Sequence, residues 1–271
     1  MSSFSRWPVS ALSTVSSSVP KGRQSLAHLV TVPAVLAAAS ITLLGSAALV
    51  ARAQQTPPAP PAVISFFVAE NPNQTGNLGG LAGADQMCQT QAQALGGANA
   101  ARAWRAYLSQ EQRGNTPRVN ARDRIGPGPW FNVKGTLVAS NVADLHGDQV
   151  RDRNNMQKAN VLDVKGEVVP GVGVPQGTQN EHDVLTGSDS QGRAFTDGLD
   201  HTCGNWTSDG LSLAQANPNF PAERARAMLG HTDRTGGGNV SWNATHMSQG
   251  CSKPALNATG GVGRFYCFAT N

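Results

Sequence analysis

Charged side chains are scarce in this sequence: they make up 14% of its 271 residues, against about 25% in ordinary soluble domains. Residues 1–53 contain four basic residues and no acidic one, which accounts for the whole formal net charge of +4. In the rest of the chain the basic and acidic residues balance, and no basic cluster occurs. A nucleic-acid-binding protein would need such a cluster, so we expect no nucleic-acid partner.

The motifs of common hydrolases and nucleotide-binding enzymes are also absent. The sequence contains no H-E-x-x-H, no G-x-S-x-G and no Walker loop. The histidines that could act as bases are scattered through polar stretches: His146, His182, His201, His231 and His246. Such histidines are more often surface or hydrogen-bonded residues than catalytic ones, so we predict a protein without enzymatic activity.

The N-terminal part has the features of a secretory signal. Two basic residues, Lys21 and Arg23, precede an apolar run over 29–50, and small residues occupy both cleavage-determining positions before Gln54. This pattern predicts a signal peptide over 1–53 that is cleaved after Ala53. A retained anchor is the alternative, because about 20 apolar residues can span a bilayer. A retained N-terminal anchor is the only membrane contact that we expect for this protein.

The remaining chain is predicted to be one exported domain. A proline-rich linker over 54–63 leads into a domain over 64–271, a length that suits a single unit. The four cysteines all lie in that part: Cys88, Cys203, Cys251 and Cys267. An even number of cysteines in an oxidising compartment predicts two disulfides, with three pairings open. We therefore expect a secreted, cell-surface or periplasmic protein.

Periodicity predicts an α+β domain. Apolar residues recur at helical spacing within 76–96, at Leu81, Ala84, Cys88, Ala92 and Leu95. Alternating patterns predict strands over 63–70, 102–109 and 264–270. The stretch 110–260 is rich in turn signals but contains three tryptophans and two cysteines, which indicates long ordered loops.

Several motifs resemble one family. The segment 79–96, GGLAGADQMCQTQAQALG, followed by RAWRAYLS at 102–109, is similar to the opening of endostatin and of bacterial endostatin-like exported proteins. The segment 183–208, DVLTGSDSQGRAFTDGLDHTCGNWTS, and the ending GRFYC at 263–267 resemble later parts of the same family. The residues that carry the second match are Gly187, Ser188, Asp189, Gly192, Arg193, Cys203 and Trp206.

The resemblance implies a fold and a disulfide pattern. The family has a C-type-lectin-like fold, with a mixed, mostly antiparallel sheet, few helices and long ordered loops. Its helix cysteine pairs with the last cysteine, and the two middle cysteines pair with each other. Carried over to this sequence, the implied pairs are Cys88–Cys267 and Cys203–Cys251.

Metal binding is weakly indicated. Lectins with this fold hold Ca²⁺ partly through a W-N-D strand, but the similar segment here, 242–244, has alanine in place of the aspartate. Other candidates for Ca²⁺ are Asp144, Asp148, Asp183 and Asp189. We expect these acids to cap turns and pair with arginines, and Ca²⁺ stays open as a cofactor. The zinc site of endostatin is not carried over, because its N-terminal histidine cluster is missing here.

The candidate carbohydrate-binding residues lie in Gly- and Asn-rich surroundings: Asn205, Trp206, His231, Asp233, Trp242 and Asn243. An exposed Trp242 could stack on a sugar ring, and the alternative is that it packs in the core, whereas Trp206 is expected to pack over a disulfide. His231 and Asp233 could share a metal, although a solvated loop is the favoured interpretation. The predicted function is an exported lectin-like module that binds a glycan or a surface or matrix glycoprotein. The alternative is an adhesion domain that binds protein only.

Overall fold

A computed structural model describes residues 63–147, 153–210, 225–235 and 240–270. The predicted signal peptide and linker lie outside the described residues except for the last linker residue, so these boundaries stay predictions. Among the residues described, no helix is long and apolar enough to cross a membrane.

Short elements joined by long loops make up the described part of the chain. Its strands are β1 (Phe66–Ala69), β2 (Trp104–Ala106), β3 (Trp130–Phe131), β4 (Leu137–Ala139), β5 (Asp183–Leu185), β6 (Met228–His231), β7 (His246–Met247) and β8 (Gly261–Ala269). Its helices are α1 (Gly80–Ala92), α2 (Gly97–Ala100), α3 (Val142–His146), α4 (Cys203–Trp206) and α5 (Lys253–Asn257). Single 3₁₀ turns follow at Gln93–Leu95 and Ala121–Asp123.

The last strand, β8, organises the main sheet. It pairs antiparallel with β1 and β2 and parallel with β5. The sheet then continues antiparallel through β6 to β7, while β3 and β4 form a separate two-stranded sheet. The prediction of an α+β domain with a mixed, mostly antiparallel sheet and few helices is confirmed at this level.

Both faces of the sheet are buried. On one face, Phe67 and Phe265 pack in a core that also contains Ala84 and Cys88 of α1. On the other face, Phe66, Val68, Tyr266 and Phe268 pack with two tryptophans, Trp130 and Trp242. Because successive strand residues point to opposite faces, an element buried on both faces is apolar throughout, as β1 and most of β8 are.

The first helix is attached to the sheet by a buried carboxylate as well as by apolar contacts. Asp85 of α1 accepts a hydrogen bond from the backbone N–H of Ala106 (2.9 Å) and forms ion pairs with Arg105 and Arg124. This role explains an acidic residue on the buried side of an otherwise apolar helix face, three residues before Cys88.

The two disulfides pair as the resemblance implies. Cys88 of α1 is bonded to Cys267 of β8, with Cα atoms 5.6 Å apart. Cys203 is bonded to Cys251, with Cα atoms 5.7 Å apart. The first bridge joins the opening helix to the final strand, and the second closes a 48-residue loop. Such disulfides are typical of proteins in oxidising compartments.

Candidate functional site

The predicted tryptophan of the sugar site lies in the core. Only 1% of the surface of Trp242 is exposed. Its ring centre is 4.9 Å from that of Tyr107 and 5.5 Å from that of Tyr266. A ring enclosed by other aromatic rings cannot stack on a sugar, so Trp242 follows the packing alternative and not the stacking one. Its Gly- and Asn-rich neighbours suggested a surface loop, but the chain here folds back against β6.

Asn243 serves a buried hydrogen-bond network. Its side-chain amide donates to the hydroxyl of Tyr107 (3.0 Å) and to the carbonyl of Asp189 (3.1 Å). The Tyr107 hydroxyl in turn lies 2.7 Å from Nε2 of His146, whose Nδ1 lies 2.8 Å from the carbonyl of Val142. Since a carbonyl can only accept, Nδ1 carries the proton and Nε2 accepts from Tyr107. The side-chain amide of Asn243 is therefore used inside the protein and is not available to bind a sugar.

The same network makes stability depend on pH. Burial lowers the pKa of His146 from 6.5 to about 4. The unfolded chain takes up a proton near pH 6.5, whereas the folded chain resists it down to about pH 4. The free energy of unfolding should therefore fall by about 3 kcal/mol as the pH drops from about 6.5 to about 4.

Urea titrations at several pH values check this prediction, with His146→Gln as the control. Glutamine does not titrate, so the difference between the two profiles isolates the histidine. Parallel profiles between pH 4 and pH 6.5 would show that His146 does not cause the change.

Asn205 and Trp206 are structural as well. The amide of Asn205 pairs with both the N–H and the carbonyl of Glu111 (2.9 Å each), so it holds that backbone in place. Trp206 is fully buried in the core that also contains Cys203 and Cys251, and its indole N–H donates to the carbonyl of Ser109 (2.7 Å). Trp206 is therefore a core residue, and contact of its ring with the Cys203–Cys251 bridge stays a prediction.

The loop carboxylates proposed for Ca²⁺ do not converge in the described part of the chain. Asp189 accepts hydrogen bonds from the N–H groups of Gln191 and Arg193 (2.8 Å each), as a turn-capping residue does. Asp144 lies 3.9 Å from the guanidinium of Arg153. Asp148 lies outside the described residues. The turn-capping and arginine-pairing interpretation is confirmed for Asp189 and Asp144.

The fourth carboxylate, Asp183, lies instead in a cluster of histidines at one end of the sheet. His231, at the end of β6, is the register partner of Asp183, at the start of β5. The Nε2 atom of His231 is 3.0 Å from Oδ1 of Asp183 and 3.0 Å from Nε2 of His246. The Nε2 atoms of His182 and His246 lie 3.4 Å and 3.6 Å from the same carboxylate oxygen. We call these four residues the His–Asp cluster.

Strand register assembles the cluster from separate parts of the chain. On β7, His246 pairs with Leu229, two residues before His231, so both histidines project from the same face of the sheet. Gly230 lets the intervening chain cross close to β6, because a Cβ there would lie 1.8 Å from the carbonyl oxygen of Trp242. The ring of His182 stacks on that of His231 at 4.2 Å between centres.

Asp233 lies next to the cluster and contacts it through His182. Its Oδ1 lies 3.0 Å from Nδ1 of His182, and its Oδ2 accepts from the N–H of Val172 (2.8 Å). Burial opposes ionisation of this carboxyl group, but hydrogen bonds from His182, Val172 and Thr235 outweigh it and hold the pKa of Asp233 well below its usual range. Asp233 is therefore an anion that interacts with Nδ1 of His182, and this contact directs Nε2 of the same ring towards Asp183. Asp233 and His231 thus lie together, but inside the protein and not in a solvated loop.

A second feature is a cleft of about 300 Å³ between the segments 111–118 and 195–200. Its walls carry Glu111, Arg113, Arg118, Phe195, Leu199 and Asp200, together with neighbouring polar residues. Leu199 is 51% exposed, and the ring of Phe195 lies flat on the imidazole of His201, 3.9 Å between centres. The cleft therefore combines an apolar patch with fixed charges.

Ion pairs organise the charged side of the cleft. The guanidinium of Arg113 bridges Glu111 (2.9 Å) and Asp200 (2.8 Å). Glu111 also accepts hydrogen bonds from the backbone N–H and Nδ1 of His201 (2.9 Å each). Burial alone would lower the pKa of His201, but the hydrogen bond to Glu111 and the nearby charge of Asp197 raise it. Burial raises the pKa of Asp200, against the effect of its hydrogen bonds and of Arg113.

Sequence reasoning finds two of the four cluster residues, Asp183 and His231, and none of the residues that line the cleft. His182, His201 and His246 were among the scattered histidines, and no cleft residue was a candidate. One local signal could have pointed to the cluster: the H-D pair at 182–183 and the H-x-D at 231–233 both fall at strand ends. Comparison with protein-family models and with curated proteins finds no match.

Proposed function

We propose that the chain is an exported, lectin-like binding module without enzymatic activity, which binds a glycan in the cleft between 111–118 and 195–200. The observation that carries the proposal is the combination of an aromatic ring, Phe195, with charged hydrogen-bonding groups on the walls of one cleft. The disulfide pattern supports the assignment to the C-type-lectin-like fold of the endostatin type. Fold alone does not fix function, so the argument rests on the chemistry of the cleft.

The cleft has the two kinds of surface that a sugar needs. A pyranose ring presents C–H groups on one face, which pack against aromatic and aliphatic side chains such as Phe195 and Leu199. Its hydroxyl groups can both donate and accept, so they match carboxylate acceptors and guanidinium donors. The volume falls at the lower end of the range for small-molecule sites, about 300–1,000 Å³, which fits one sugar unit of a longer glycan.

The cleft is also rigid before a ligand arrives. Asp200 accepts hydrogen bonds from the N–H groups of Thr202 (3.0 Å) and Gly204 (2.9 Å), in addition to its contact with Arg113. Glu111 is held through its backbone by Asn205 and through its carboxylate by His201. Preformed geometry avoids the entropy cost of ordering these side chains on binding. A surface glycoprotein would then be recognised through its glycan.

A glycan array with the oxidised full chain tests the proposal, and Arg118→Ala is the informative variant. Arg118 lies on the cleft wall and is exposed, so its removal should leave the melting temperature unchanged. We expect selective binding by the wild type and a loss of affinity of about tenfold or more in the variant, equivalent to about 1.4 kcal/mol.

The matched control is Arg153→Ala, which removes an exposed arginine that does not line the cleft. It should bind as the wild type does. An array without selective binding would contradict the glycan proposal and favour the adhesion alternative. Equal losses of glycan affinity in both arginine variants would indicate a non-specific charge effect. They would contradict the assignment of the binding site to the cleft.

A further inference from the structure

We propose that the His–Asp cluster is a structural zinc site, in which His182, Asp183, His231 and His246 bind one Zn²⁺ ion. The proposal is independent of the glycan cleft, whose wall residues are not shared with the cluster. Its basis is the spacing of the four side chains, the lack of partners for a buried carboxylate and the support of His182 by Asp233.

The distances from Asp183 to the three imidazoles are close to those between ligands of a tetrahedral zinc ion. Ligand atoms bound at about 2.0–2.1 Å around a tetrahedral zinc ion lie about 3.3–3.4 Å from one another. Oδ1 of Asp183 lies 3.0 Å, 3.4 Å and 3.6 Å from the Nε2 atoms of His231, His182 and His246. The ligand atoms of His182, Asp183 and His231 all lie within 4.8 Å of one another, so one ion can be reached by these three side chains. His246 lies outside that group, although its Nε2 is 3.0 Å from Nε2 of His231, and it would move closer to His182 to complete the coordination.

The carboxylate of Asp183 lacks the partners that its burial demands. Its side chain is 0% exposed, and neither oxygen is in hydrogen-bonding geometry with a donor among the described residues. An ionised carboxylate buried without a partner costs several kcal/mol. A bound cation would remove this cost, because it would neutralise the charge at the point where three imidazoles converge.

The state of His182 points in the same direction. Its Nδ1 lies 3.0 Å from Oδ1 of Asp233, so Nε2, which is 3.4 Å from the Asp183 oxygen, is the ring atom left to bind an ion. A carboxylate that orients a ligating histidine through its other ring nitrogen is a recurrent feature of zinc sites.

The donor set selects the type of metal. Three imidazole nitrogens and one carboxylate oxygen suit Zn²⁺ and similar transition metals. Ca²⁺ prefers six to eight oxygen ligands and would find one carboxylate here. Four protein ligands leave no open position for a reacting group, so the role is structural: the ion would join the ends of β5, β6 and β7. The side chain of His246 is 37% exposed and forms the side of the site that solvent can reach.

Zinc binding by the full chain without a histidine tag is the test. After removal of metals with a chelator, addition of Zn²⁺ and removal of the unbound excess, we expect one Zn²⁺ per chain by elemental analysis. Zn²⁺ should raise the melting temperature and Ca²⁺ should not, and Co²⁺ should give the visible absorption of a tetrahedral complex. Asp183→Asn should abolish these effects, whereas Asp144→Asn, which changes a carboxylate outside the cluster, should keep them. Asp233→Asn should raise the Kd for zinc about 10–100-fold.

Two further results keep the test decisive. If Asp183→Asn does not fold, His246→Gln replaces the partly exposed ligand and should still weaken zinc binding and alter the Co²⁺ spectrum. A wild-type chain that binds no zinc at micromolar concentration would overturn the proposal, as would a zinc response that persists in both variants. In that case a protonated histidine is the partner of Asp183. A negative result here leaves glycan binding unaffected, so the two proposals fail separately.

Discussion

Removal of the Cys88–Cys267 disulfide should lower the free energy of unfolding by about 5 kcal/mol. The bridge spans 179 residues, so it restricts the unfolded chain more than the second bridge does. It also fixes α1 to β8, the strand to which β1, β2 and β5 are paired. Because whole domains are stable by about 5–15 kcal/mol, the double variant Cys88→Ala, Cys267→Ala should be largely unfolded at 37 °C. Urea unfolding monitored by circular dichroism measures the loss.

The second bridge provides the comparison. It closes 48 residues, for which the same chain-entropy argument gives about 4 kcal/mol. The double variant Cys203→Ala, Cys251→Ala should therefore be destabilised as well, but less. A loss below about 1 kcal/mol for the longer bridge, or a clear reversal of the order, would contradict the view that the two disulfides hold the loop-rich domain together.

Trp242→Ala should cost about 3–5 kcal/mol of stability, as large-to-small substitutions of buried aromatic residues do. Trp242 lies between Tyr107, Tyr266 and His146, and a cavity would open among these rings. The loss should appear as a lower midpoint of urea unfolding. Glycan affinity, measured where the variant is still folded, should stay close to that of the wild type.

Trp242→Phe is the matched control, because it keeps an aromatic ring in the core. Its stability loss should be smaller than that of the alanine variant. If Trp242→Ala keeps its stability but loses glycan binding, Trp242 is part of the binding site, and its structural role is contradicted.

The elements near the two ends of the domain could be predicted from the sequence, because their signals are local. The helical spacing around Cys88 and the alternation in 102–109 and 264–270 depend only on neighbours in the chain. The structure has α1, β2 and β8 in these places. The disulfide pairs were implied only by the resemblance to endostatin-like proteins, since spacing alone left three pairings open.

The sites could not be predicted in the same way, because they are assembled by strand register and by loop packing. His231 meets Asp183 only because β5 and β6 pair in one register, and His246 joins them through β7. Likewise, Glu111 meets Asp200 through Arg113, a contact between two loops far apart in the sequence. For Trp242 the local sequence indicated a site that the structure does not have. Its Gly- and Asn-rich neighbours are typical of an exposed loop, but tertiary packing buries the ring.

Hydrogen–deuterium exchange of the oxidised full chain, with and without the glycan that binds most strongly on the array, tests the central claim most directly. Binding in the cleft predicts slower exchange in 111–118 and 195–200 and no change in 240–247. Slower exchange in 240–247 alone, or no change at any peptide despite saturation with the glycan, would contradict a binding site in the cleft.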